Sequence, residues 1–322
     1  MNKENSPSVV HENMKSVPRR QIWMRAFRLH FVLPSVVPGI LGAVVAWSAG
    51  YPFQQPAFLL VVAGVALNHV GLNMVDDVFD YLHAVDTKRS DEKNPFTGGS
   101  GALPDGLLTV REMLVAAGVC FAATILIGLY LTAVCGPVVL AFGIFGMGSS
   151  LFYTMPPVKF GYRGLGELGL LVNFGPVIVL GSYFVQTGRL DWEPFLISLT
   201  PGFLMWSMII INEIPDYEAD RAGGKNNLVV LFGRKTAATL YALGLFSAYL
   251  IPLIGVCFRF LTPYALLAWL SLPIAWRSLK ILFLHKEDPL RMAPANLAMI
   301  QVHGLTGAAL IVAYLLQGLW PK

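Results

Sequence analysis

Two stretches of the chain combine asparagine and aspartate at helical spacing. One holds Asn73, Asp76, Asp77, Asp80 and Asp86; the other holds Asn212, Asp216 and Asp220. On an α-helix Asn73, the Asp76–Asp77 pair and Asp80 recur every three or four residues. Asn212, Asp216 and Asp220 follow i, i+4 steps, so each set shares a face. Ionised carboxylates stacked one turn apart repel each other, and more strongly at the end of an apolar helix, where they are poorly solvated. Two such clusters require a compensating cation. The donors are hard oxygens with no His/Cys set beside them, which suits Mg²⁺ shared between carboxylates and substrate phosphates. Asp76, Asp77, Asp80, Asp86, Asp216 and Asp220 are the candidate metal ligands. Lys159, Arg163 and Lys225, with Lys88, Arg89 and Arg221 in the same loops, would meet the remaining phosphate charge. A simpler reading makes these acids solvated helix ends offset by loop lysines and arginines. It explains one cluster more readily than two at matching depth. A third reading, an ion-coupled transporter, places acids near the bilayer midplane on broken helices, whereas these sit at helix ends.

The elements that must position these groups are membrane helices. The chain of 322 residues is 55% hydrophobic and 13% charged, with a mean hydropathy of +0.61. A soluble domain carries about twice that charged fraction, so lipid is the solvent. Apolar runs long enough to cross a bilayer lie at 30–48, 56–78, 112–134, 137–154, 167–187, 193–214, 236–257, 262–283 and 293–318. The expected fold is therefore all-α, a polytopic bundle of nine transmembrane helices around a central cavity. Of the 23 Lys and Arg, all but Arg189, Arg259 and Lys322 fall in the N-terminal tail or on the side of the loops that follow even-numbered runs. The positive-inside rule puts that side, the N-terminus and the mouth of the cavity in the cytoplasm, and the C-terminus outside. Residues 1–24 read as a disordered cytoplasmic tail, with no signal-peptide h-region, that runs into a basic amphipathic lead-in at Arg19–Arg25. Residues 25–322 form one transmembrane domain.

The acids lie at the cytoplasmic ends of the second and sixth runs, which suggests two halves facing one cavity. After the first cluster, Asn94-Pro-Phe-Thr-Gly-Gly-Ser-Gly-Ala-Leu-Pro104 lacks apolar periodicity. It reads as a loop able to bring backbone N–H groups to an anion. Tyr153-Thr-Met-Pro-Pro157-Val-Lys159 is a second loop, stiffened by its proline pair. Cys120, Cys135 and Cys257 stand alone in apolar stretches, which argues against disulfides or zinc. His69, one turn before Asn73 on the same face, reads first as a packed, hydrogen-bonded histidine and second as an acceptor ligand or base; His303 reads likewise.

These features together resemble the UbiA superfamily of intramembrane aromatic prenyltransferases, from about residue 25 to the C-terminus. The resemblance rests on nine helices, the Asp motif after the second, Asn-x3-Asp-x3-Asp after the sixth, and the Tyr-Thr-x-Pro-Pro loop. Pro-Phe-Thr-Gly-Gly-Ser-Gly and Asp-Arg-x-x-Gly-Lys at 220–225 resemble the branch that prenylates 1,4-dihydroxy-2-naphthoate for menaquinone. The resemblance implies Mg²⁺ as cofactor, with a polyprenyl diphosphate and an aromatic acceptor as substrates. It also implies a bacterial or archaeal inner membrane and no nucleic-acid partner. It assigns Asp80, Asp86, Asp216 and Asp220 to the metal, and Asn73, Asn212, Arg28, Lys159 and Lys225 to the diphosphate. It places Tyr153 near the reacting carbon, so that Asp80, Asp216, Tyr153 and Lys159 form the catalytic set. The chain departs from the family pattern at Asp76, often Asn, and at Pro215, where the menaquinone branch usually carries Arg. Other prenyl acceptors, such as 4-hydroxybenzoate, another quinone precursor, haem or a glycerol phosphate lipid, are the alternatives.

Overall fold

The computed structural model describes residues 18–85 and 94–320, and among these the chain is helical with no strand. Ten helices follow one another: α1 (Arg19–Phe27), α2 (Leu33–Ser48), α3 (Gln55–Leu82), α4 (Val110–Cys135), α5 (Val138–Phe152), α6 (Gly166–Thr187), α7 (Trp192–Ala222), α8 (Leu228–Cys257), α9 (Pro263–His285) and α10 (Ala293–Leu319). Each apolar run of the sequence falls on one of α2 to α10. Seven of these, α3, α4 and α6 to α10, are long and apolar enough to cross a membrane; α2 and α5 are apolar but shorter. The basic lead-in is the separate helix α1, so the boundary drawn at residue 24 falls inside it. Residues 1–17 lie outside the described residues.

Burial sorts the helices into layers. In α7, 67% of the apolar window is buried, against 17% in α4. Val115, Val119, Leu126, Leu129 and Val134 leave α4 exposed, as lipid-facing residues are. α7 therefore runs through the centre, packed against α8, α6, α10 and α2, while α4 lies outside against α3.

Close approach to α7 needs small residues. A Cβ on Gly175 would lie 2.6 Å from the Ser198 carbonyl, and one on Gly202 would lie 2.8 Å from the Leu171 carbonyl. Gly175 belongs to a π-helical turn, Asn173–Val177, inside α6. Pro176 within it has no N–H to give to the preceding turn, and the wider turn accommodates that loss.

The polar end of the bundle is organised from α1. Arg28 caps α1 in the left-handed region (φ 49°) and turns the chain through Leu29–Phe31 into α2. Arg25 donates to the Ser100 carbonyl (2.6 Å) and pairs with Asp105 (2.6 Å), which ties α1 to the 94–109 loop. Thr109 and Glu112 form a capping box that starts α4, and Arg19 pairs with Glu112.

Candidate active site

The two acidic helix ends meet across one cavity of about 440 Å³. α3 contributes His69, Leu72, Asn73, Asp76 and Asp80. α7 contributes Met205, Met208, Ile209, Asn212, Glu213, Asp216 and Asp220. Arg28, Lys225 and the 94–99 loop border the acids; Tyr153, Leu170 and Phe174 line the apolar part. Anionic and cationic groups therefore cluster at one end of a chamber with an apolar remainder, which suits an amphiphile with a charged head.

Asp80, Asp216 and Asp220 are each held by specific partners. Lys225 Nζ donates to Asp80 Oδ2 (2.9 Å) and the Tyr162 hydroxyl donates to Asp80 Oδ1 (2.6 Å). Lys225 is buried in the short loop between α7 and α8. Burial opposes its charge, but the carboxylates of Asp80, Asp220 and Asp76 override that and hold its pKa well above the ordinary lysine value. Burial, followed by the Asp80 carboxylate, raises the Tyr162 phenol, so it stays a donor. Asn227 Nδ2 donates to Asp220 Oδ2 (2.7 Å). Gly98 N–H (2.8 Å) and the Thr97 hydroxyl (3.1 Å) donate to Asp216. The glycine-rich loop thus does bring a backbone N–H to an anion, here a carboxylate of the protein.

Adjacent helical positions diverge by about 100°, and Asp76 and Asp77 have different surroundings. Asp76 lines the cavity, and its Oδ1 is buried without a hydrogen-bond partner. Asp77 turns aside to accept from Ser100 N–H (3.0 Å) and to pair with Arg28 (3.4 Å). Lys159 and Arg163 also lie outside the cavity. Lys159 Nζ lies 2.6 Å from His83 Nε2, and the exposed Arg163 donates to the Pro157 carbonyl. Asp86, Lys88 and Arg89 fall outside the described residues. Of the expected site residues, the structure brings together Arg28, Asn73, Asp76, Asp80, Tyr153, Asn212, Asp216, Asp220 and Lys225, and leaves Asp77, Lys159 and Arg163 apart.

Some of the organising residues are absent from the expected set. Asn296 on α10 is fully buried; its Nδ2 donates to the Ile211 carbonyl (2.9 Å) and Asn212 Oδ1 (3.0 Å). Its Oδ1 accepts from Asn94 Nδ2 (3.1 Å), which also donates to the Pro289 carbonyl (2.9 Å). The Ile211 carbonyl needs a side-chain donor because the residue four positions on is Pro215, which has no N–H. The proline was legible in the sequence; its partner, 81 positions beyond it, was not.

A family model for the UbiA prenyltransferase family matches residues 35–305. The chain belongs to the UbiA prenyltransferase family. It is 28% identical over 296 residues to the 1,4-dihydroxy-2-naphthoate octaprenyltransferase of Bacillus subtilis, covering 92% of this chain and 93% of that one. Its fold is that of an Aeropyrum pernix UbiA homolog (TM-score 0.66, 20% identity, 88% of this chain and 98% of that one). It also matches an Archaeoglobus fulgidus UbiA homolog bound to DMAPP and Mg²⁺ (TM-score 0.57, 17% identity, 92% and 98%). This UbiA chain is a prenyltransferase enzyme, and its cavity is the candidate active site.

Among the described residues of the prenyltransferase, no three His, Cys, Asp or Glu side chains converge as a ready-made metal centre. The donor set still fits a hard divalent ion that keeps several waters. Asp76, Asp80, Asp216 and Asp220 offer only oxygens to the cavity, and Asp76 Oδ1 is an orphaned buried acceptor without a hydrogen-bond partner.

Proposed function

We propose that this enzyme transfers a polyprenyl group from an allylic diphosphate to an aromatic acceptor, 1,4-dihydroxy-2-naphthoate, with Mg²⁺ as cofactor. The observation that carries this reading is the convergence of Asp76 and Asp80 with Asp216 and Asp220 at the polar end of one apolar-floored cavity. The acceptor comes from the naphthoate-prenylating relative, and the metal from the relative bound to DMAPP and Mg²⁺ together with the oxygen-only donor set.

Asp76, Asp80, Asp216 and Asp220 would hold the ion, which when bound neutralises diphosphate charge as the leaving group departs. The protein's own contribution is positional and electrostatic. Lys225 and Arg28 place fixed positive charge at the polar end, where negative charge develops on the departing diphosphate. Tyr162 and Lys225 orient Asp80. The 94–99 loop covers the polar end and, through Gly98 and Thr97, fixes Asp216. Leu72, Leu170, Phe174, Met205 and Met208 exclude water that would quench an allylic cation before the acceptor carbon captures it. Nine membrane crossings, with N-terminus and cavity mouth on the cytoplasmic side, complete the reading.

The test is to incubate purified protein with geranylgeranyl and longer prenyl diphosphates, Mg²⁺ and a panel of acceptors, and to follow products by mass spectrometry. Prenylated dihydroxynaphthoate is expected. Turnover of 4-hydroxybenzoate in its place would reject the acceptor and keep the prenyl transfer.

A further inference from the structure

His69 is more than a packed histidine. It lines the cavity seven residues before Asp76 on the same helix, a separation of about 10 Å along the axis. That depth lies one turn and more below the acids, among the apolar lining residues. Its imidazole stands edge-on to Phe174, with centroids 5.3 Å apart and planes at 84°. Met205 and Met208 line the same apolar part of the chamber.

The hydrogen bonds of His69 select its tautomer. Nδ1 lies 2.5 Å from Ser35 Oγ, and that hydroxyl lies 2.9 Å from the Val32 carbonyl. A hydroxyl has one proton to give. If Ser35 gave it to His69, two oxygen lone pairs would oppose each other at the Val32 carbonyl. If Ser35 gives it to Val32, its own oxygen accepts from Nδ1–H and both contacts are favourable. The proton of the neutral imidazole then sits on Nδ1, which leaves Nε2 with an open lone pair. Nδ1 is bonded to Ser35, His69 makes no other side-chain hydrogen bond among the described residues, and the residue lines the cavity, so Nε2 is the ring nitrogen left for a ligand.

We propose that His69 Nε2 accepts a hydrogen bond from the ring hydroxyl of the aromatic acceptor, orienting the ring and raising its electron density toward the allylic carbon. Ser35 is the positioning residue that fixes the tautomer. This inference rests on the prenyl-transfer reading above, and it identifies the acceptor class as a hydroxy-aromatic rather than an aliphatic alcohol phosphate.

The test compares His69→Phe, which keeps an aromatic ring against Phe174 but has no acceptor atom, with His69→Gln, which restores an acceptor oxygen. KM for 1,4-dihydroxy-2-naphthoate and equilibrium binding of geranylgeranyl diphosphate are measured separately, with thermal unfolding as the check on folding. His69→Phe should raise the acceptor KM about tenfold or more, the effect of removing one partner of a buried hydrogen bond, with diphosphate binding unchanged. His69→Gln should recover part of the loss, and Ser35→Ala should fall between Phe and wild type. An unchanged acceptor KM in His69→Phe would overturn the assignment, as would a parallel loss of diphosphate affinity or a Gln variant no better than Phe. Wild-type protein that binds the diphosphate but prenylates no hydroxy-aromatic would overturn the parent reading as well, and so separates the two failures.

Discussion

Replacing Asn296 with leucine removes a buried hub at nearly constant volume. Three hydrogen bonds go with it, to the Ile211 carbonyl, Asn212 Oδ1 and Asn94 Nδ2. Interhelical hydrogen bonds in membrane proteins contribute about 0.6 kcal/mol each, so the three together are worth about 2 kcal/mol. The Ile211 carbonyl is then left without a donor, because Pro215 cannot supply the helical N–H. An unsatisfied buried carbonyl adds about 1 kcal/mol or more. The variant should therefore lose about 3 kcal/mol and, through Asn94, loosen the loop that covers the cavity's polar end. The informative perturbation is the pair. Pro215→Ala restores an N–H within reach of Ile211, so it should make Asn296 partly redundant. Thermal or denaturant unfolding in detergent, run as a double-mutant cycle, should show the double variant less damaged than the sum of singles by about 1 kcal/mol. Strict additivity, or an Asn296→Leu variant as stable as wild type, would refute the account of why this asparagine is buried.

Asp80→Asn and Asp216→Asn should each lower turnover by at least about a hundredfold, the scale of removing one electrostatic group from an active site, with the helical fold retained by circular dichroism; near-normal turnover would remove them from the site. The raised pKa of Lys225 means that its ion pair with Asp80 is fully present below the unfolded lysine value of about 10.4 and is lost only as pH climbs through the higher folded value. The KM for prenyl diphosphate should therefore not rise between about pH 7 and 10 through loss of this charge, and a Lys225-dependent rise in that window would contradict the pairing. In a background lacking Cys120, Cys135 and Cys257, Arg163→Cys should be labelled from the cytoplasmic side and Arg189→Cys from the other. Labelling of both from one side would refute the nine-crossing topology.

The helix positions and the general site were legible in the sequence because both are periodic. Apolar runs and i, i+4 acids are local signals, and each fixes a face. The partners of those acids were harder to see because they come from elsewhere in the chain. Tyr162 reaches Asp80 across 82 positions and Asn94 reaches Asn296 across 202, and neither carries a pattern of its own. Lys159 and Arg163 belong to the same basic loop, and the chain turns one toward His83 and the other toward Pro157, orientations that no local pattern encodes.

The central claim is that α3 and α7 together build one site for a metal ion and a diphosphate. Mn²⁺ in place of Mg²⁺, with geranylgeranyl diphosphate bound, tests it directly by electron–nuclear double resonance. Coupling of the manganese to phosphorus is expected in the wild-type protein and should be lost when Asp76 and Asp216, one from each helix, are changed to asparagine. Undiminished phosphorus coupling in that double variant, or none in the wild type, would contradict the account.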